Sequence, residues 1–186
     1  MSAGPAAAEP SFPTVTINTT TTAGFVHPGV AVSADSLVNA RAQVLAGTEP
    51  WASYHKAMVA PKYASTAFSS ANQCTTPGTP AVNTFNSQSV EARFIDDAFR
   101  AYTQAIQYVI TGNPAYRENA LKIIRIWSQM GANGYAVYPD ARIHSGTPLM
   151  RMTAAAEILR FSSVNPADDG YDLSSPTTAP PTPTFE

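Results

Sequence analysis

The chain has 186 residues, 44% of them apolar and 13% charged, with a formal net charge of -2. That composition can bury a core within one domain, and it shows no basic stripe of the kind a nucleic-acid binder carries. No stretch approaches the roughly 20 apolar residues that span a bilayer, and with Cys74 as the single cysteine there is no internal disulfide and no Cys/His spacing suited to zinc.

The opening residues have neither a basic n-region nor an apolar h-region, so no signal peptide is read in them. Residues 1–24 are set apart as a disordered lead, within an Ala-, Pro- and Thr-rich segment that reads as extended or disordered to about residue 32. It contains the tripeptide Asn18-Thr19-Thr20, which fits the N-glycosylation pattern. The first helix follows Ser33 as N-cap, sets Leu37, Ala40 and Val44 on one face, and stops at Gly47. A second starts from Thr48, carries Trp51, Tyr54 and Met58 on one stripe, and is limited by Pro61. Residues 62–88 show little helical period, and their length suggests a functional or mobile loop.

The third helix has the clearest pattern. Ser89 caps it, Phe94, Ala98, Ala101, Ala105 and Val109 recur at the spacing of one buried face, and Gly112 ends it. Asn113 caps the fourth, with Pro114 at its first position and Tyr116, Ala120, Ile123, Ile124 and Trp127 on its apolar stripe. The tight turn between them predicts an antiparallel hairpin. Residues 132–146 read as a second loop carrying Tyr135, Tyr138, Asp140, Arg142 and His144. A fifth helix is expected from Thr147 and Pro148 to about Ser162, with Leu149, Met152, Ala156 and Leu159 toward the core. Strand signals are weak throughout, and the last residues, 174–186, form a Ser/Thr/Pro-rich tail. The fold class is all-α.

The segment Phe25-Val26-His27-Pro28-Gly29-Val30, the first helix and then Ala46-Gly47-Thr48-Glu49-Pro50-Trp51 resemble the start of alginate lyase domains. Asp96-Asp97-Ala98, Ala101-Tyr102, the run from Tyr108 through Gly112-Asn113-Pro114 to Tyr116, and Ile126-Trp127-Ser128 resemble that domain's central helices. Ala154-Ala155-Ala156-Glu157-Ile158-Leu159-Arg160 resembles its next one. The resemblance covers roughly residues 25–165, in order, within a partial domain taken as residues 25–173. It implies an incomplete α/α toroid of antiparallel helix hairpins, of the chondroitin AC and alginate lyase type. It also implies a uronate-containing acidic polysaccharide as partner, cleaved by β-elimination without a nucleotide or redox cofactor or a metal. An extracellular or periplasmic setting follows from the family, not from a leader.

β-Elimination needs a group that stabilises the charge developing on the uronate carboxyl, a base for the C5 proton and an acid for the leaving O4. The family's Asn-His pair has no counterpart here, so no catalytic residue is assigned and the chain is expected to be the N-terminal part of a lyase domain, inactive alone. Tyr138, Arg142, His144 and Arg151 are the expected substrate-binding residues, because guanidinium groups suit carboxylates. Among the other polar residues, His27 is read as a turn residue, His55 as packed or solvated, and Cys74 as a free thiol. Glu157 is expected to make a buried hydrogen bond or a salt bridge with a neighbouring arginine, and Asp96 and Asp97 to meet the dipole of a helix start. The alternatives are a non-catalytic carbohydrate-binding remnant and a helical interaction module.

Overall fold

The computed structural model describes residues 12–60, 62–72, 88–128 and 140–164, without the side chains of Gln88 and Arg142. Its elements are β1 (Thr16–Ile17), β2 (Thr20–Thr22), β3 (Phe25–His27), α1 (Ala34–Leu45), α2 (Trp51–Val59), a 3-10 turn (Lys62–Ala64), α3 (Gln88–Thr111), α4 (Pro114–Ser128), α5 (Ala141–Phe161) and β4 (Ser162–Ser163). The fold is mostly helical, as expected. The strands form two small antiparallel ladders, with Thr16 opposite Ser163 and Thr20 opposite His27. Two or three residues are too few for an alternating pattern to be read in a sequence.

Helix ends follow local chemistry. The Ser33 hydroxyl accepts the Ser36 N–H at 3.2 Å, and the Asn113 side chain accepts the Ala115 N–H at 3.0 Å. Gly112, with φ +68, closes α3 in the left-handed region, its N–H bonded to the Tyr108 carbonyl at 2.8 Å. A Cβ there would stand 2.5 Å from the Pro13 ring, so the turn needs glycine for space as well as for φ. Arg41 of α1 donates to the Val109 carbonyl at 2.8 Å and to that of Ile110, placing a cation on the orphan carbonyls at the end of α3.

α3 is the central element. The expected stripe of Phe94, Ala98, Ala101, Ala105 and Val109 is buried along its length. Three alanines in that row keep the surface low, so neighbouring helices approach closely. Phe94, near the start of α3, stacks on Trp127, near the end of α4, at 4.4 Å, which makes the pair antiparallel. α5 runs parallel to α3. His144 near its start meets Glu91 at 3.1 Å, and Val164 just past its end donates to the Tyr108 hydroxyl at 3.1 Å. Ile123, Met152, Ile158, Leu159 and Leu37 complete the core.

Several expectations are corrected. α5 begins at Ala141, six residues before Thr147, so His144 and position 142 are helical and Pro148 lies inside the helix. Leu149 is 44% exposed and does not join the core. α3 begins at Gln88, which places Ser89 inside it. On α2 Met58 lies on the covered face as expected, but beside Ala52 and His55, while Trp51 and Tyr54 are exposed. The helix starts after Pro50, and Glu49 secures its first turn through the Ser53 hydroxyl at 2.9 Å. In the lead, residues 12–24 are ordered, with the strands β1 and β2 and a turn at Ala23-Gly24, and Val15 is buried. Residues 1–11, Cys74 and the tail at 174–186 lie outside the described residues.

Candidate functional site

Side chains of α3 alternate around its circumference between a core row and two polar flanks, and each flank recruits a different partner. Asp96 and Asp97 are adjacent and so point about 100° apart. They lie in the third turn of α3, too far from its start for the dipole to explain them. Asp97 is fully buried and accepts four donors: the Ser70 hydroxyl at 2.6 Å, the N–H groups of Ala71 at 2.7 Å and Asn72 at 3.3 Å, and the Trp127 indole at 2.8 Å. A carboxylate so enclosed needs all of these donors, because each lone pair left without one would carry the full desolvation penalty. It is therefore the anchor of residues 70–72.

Asp96 faces the surface. It accepts Lys62 Nζ at 2.7 Å and the Tyr63 hydroxyl at 2.8 Å, and Arg100 lies one turn on at 3.5 Å. Burial pushes its carboxyl up, but the hydrogen bonds from Lys62 and Tyr63 outweigh that and hold it below the ordinary range. The same bond to Asp96, with burial adding to it, raises the Tyr63 phenol. Gln104, fully buried, donates to the carbonyls of Tyr63 at 2.8 Å and Ser65 at 2.7 Å, fixing the turn that carries this group.

Phe99 continues the surface toward α5. Tyr63 stacks with it at 6.1 Å, and the Arg151 guanidinium lies 4.3 Å from its ring centre. Arg100 and Lys62 in turn lie 5.5 and 5.2 Å from the Tyr63 ring. The result is a continuous strip of three cations and two aromatic rings around the single carboxylate of Asp96. Phe99 keeps 38% of its surface open. Tyr102, one turn along from Phe99, is pushed up by burial while Arg151 draws it down, so its phenol stays protonated at neutral pH.

Of the four expected site residues, the described structure brings together the seams of two. His144 and Arg151 are seven residues apart and share the face of α5 turned to α3, His144 on Glu91 and Arg151 on Phe99. Positions 142 and 144 stand about 200° apart around a helix, so a helical start to α5 separates them where a loop could have joined them. Tyr138 and the Arg142 side chain lie outside the described residues. Lys62, Tyr63, Phe99 and Arg100 were not singled out in the sequence; the four-residue step from Asp96 to Arg100 was the only readable signal.

The remaining histidine and glutamate expectations resolve within the fold. Glu157 is buried and hydrogen-bonded, as one of its two expectations has it, but its partners are His27, 130 residues away, and the Val30 N–H at 2.6 Å, with no arginine among them. Burial raises its carboxyl, and the bonds from His27 and from the Val30 and Gly29 backbone more than reverse that. His27 is not a turn residue but the end of β3, with its ring bonded to Glu157 and stacked on Phe161 at 5.9 Å. His55 sits 3.3 Å from the Gln107 amide oxygen. Among the described residues no group of three His, Cys, Asp or Glu side chains is placed to hold a metal ion, and no helix is long and apolar enough to cross a membrane.

Compared with family models, with curated proteins and with solved structures, the chain finds no match.

Proposed function

We propose that this chain forms one wall of an alginate lyase-like α/α toroid and binds an acidic, uronate-containing polysaccharide outside the cell. The observation that carries this reading is Arg151. Its guanidinium lies over the part-open ring of Phe99, 4.3 Å from the ring centre, and has no carboxylate partner among the described residues. A guanidinium held by a ring and not by a carboxylate keeps its N–H fork free for a planar carboxylate, and the neighbouring rings of Phe99 and Tyr63 offer apolar surface to sugar C–H groups. Lys62 and Arg100 add positive potential along the same strip. The antiparallel α3–α4 pair is the kind of hairpin from which a toroid is assembled.

Binding, and not cleavage, is the role assigned to the chain alone. The Tyr63 hydroxyl is committed to Asp96 and the Tyr102 phenol is held protonated by burial, so neither is suited to act as the base for a C5 proton. Affinity electrophoresis of the full chain in gels containing alginate or a neutral glucan tests the reading. Retardation in alginate alone is expected, with no rise in the ultraviolet absorbance of unsaturated uronates. Equal migration in both gels refutes glycan binding.

A second reading, a helical interaction module, is favoured by one observation. Ile143 and Met150, seven residues apart on α5, are 77% and 50% exposed and form an apolar row on its outer side.

A further inference from the structure

The pattern Asn-x-Ser/Thr occurs once in the 186 residues, at Asn18-Thr19-Thr20. The cysteine variant of the pattern also occurs once, at Asn72-Gln73-Cys74. The structure treats the two asparagines in opposite ways. Asn72 is 2% exposed, with its N–H bonded to the buried Asp97 carboxylate. Asn18 is exposed, and Thr19 and Thr20 after it are exposed as well. Its backbone N–H donates to the Phe161 carbonyl at 2.8 Å, which fixes the main chain while its side chain makes no hydrogen bond among the described residues. Asn18 and Thr19 form the short link between β1 and β2, and Thr20 opens β2 opposite His27 with its side chain exposed, so the acceptor tripeptide is open to solvent along its length.

Position matters equally. Phe161 ends α5, ten residues beyond Arg151, which at 1.5 Å per residue is roughly 15 Å along the helix. A bulky substituent on Asn18 therefore stands at the far end of α5 from the Phe99–Arg151 strip and leaves it open. No core contact would be lost, since the side chain takes part in none.

We propose that Asn18 is an acceptor for N-linked glycosylation when the chain passes through a secretory compartment. The donor class is a lipid-pyrophosphate-linked oligosaccharide. The Asn18 carboxamide nitrogen forms a bond to the sugar C1 as the bond from C1 to the pyrophosphate oxygen breaks. The lipid pyrophosphate leaves with the electron pair, and the amide proton passes to a base of the transferase. This assignment is independent of the acidic-glycan reading, because it concerns what is attached to the chain rather than what the chain binds.

The test is secretion of the full chain behind a cleavable leader from a eukaryotic host. An amidase that releases N-glycans converts the acceptor to aspartate, and peptide mass mapping locates that change. The expected result is conversion at Asn18, a matching mobility shift on treatment, and loss of both in Asn18→Gln and Thr20→Ala but not in Thr20→Ser. Circular dichroism of the secreted variants separates loss of the glycan from loss of the fold. A secreted parent chain with unmodified Asn18, or a glycan that persists in Asn18→Gln, overturns the assignment.

Discussion

The indole N–H of Trp127 donates to the Asp97 carboxylate at 2.8 Å, and both residues are buried between α3 and α4. The bond joins the start of the hairpin to its end, and the same carboxylate reaches across to Ser70, Ala71 and Asn72. Asp97→Ala would leave those donors without an acceptor at once. The expected loss is about 3 kcal/mol or more, at the upper end for hydrogen bonds to a charged group. Urea denaturation followed by circular dichroism and by tryptophan fluorescence checks it, and a loss under about 1 kcal/mol would contradict the anchoring role.

Gly112→Val should cost more than the φ penalty alone. A Cβ meets Pro13 at 2.5 Å and Val164 at 3.1 Å, so the substitution displaces the segments around β1 and β4 as well as straining the turn. A destabilisation of roughly 2 kcal/mol or more is expected, combining about 1–2 kcal/mol for left-handed backbone with the steric displacement. Gly112→Ala should fall between parent and valine. Thermal unfolding of the three chains orders them.

Glu157 predicts an acid limb in the stability curve. Its folded carboxyl is held below the ordinary carboxylate range, so its contribution is fully present above the unfolded pKa, about 4.3 for a free glutamate, and fades as pH falls through the depressed folded value. His27 is the titratable partner facing it. Glu157→Gln should lower stability near neutral pH by about 1–2 kcal/mol, through loss of charge-assisted hydrogen bonds, and should flatten the acid limb. Chemical denaturation at a series of pH values reads both effects.

Arg151 and Phe99 should act as a unit in binding. Arg151→Ala is expected to weaken alginate binding about tenfold, corresponding to about 1.4 kcal/mol, and the difference should shrink as salt rises. Phe99→Ala should produce a smaller loss, since it removes the ring beneath the guanidinium but keeps the charge. Arg151→Lys should not restore the parent, because an ammonium lacks the planar fork. Gel retardation at two ionic strengths distinguishes these outcomes.

Helices whose burial is set by their own sequence were legible. The row from Phe94 to Val109 repeats one face often enough that its period survives without knowledge of the partners, and Asn113-Pro114 carries its own start signal. The start of α5 is hidden in the sequence because Pro148 looks like a first-turn residue, whereas it sits inside the helix at the cost of one backbone bond from the turn before it. The α2 stripe was misplaced by one residue in phase, since the helix has no fully buried side chain to fix its face. Polar partnerships were the least legible. Asp97 meets Trp127 across 30 residues and Glu157 meets His27 across 130, and no local spacing encodes such a pair.

The β1–β4 ladder sets Thr16 against Ser163, so the chain enters and leaves the described helices side by side. Both crossings lie at the pole where α3 and α5 end, with Gly112, Pro13 and Val164 packed around them. Pulling on the two ends would load this small ladder as a zipper, one bond at a time, before any helix was sheared. A tether attached before residue 12 or after residue 164 would hold the molecule by that pole and present the Phe99–Arg151 strip outward.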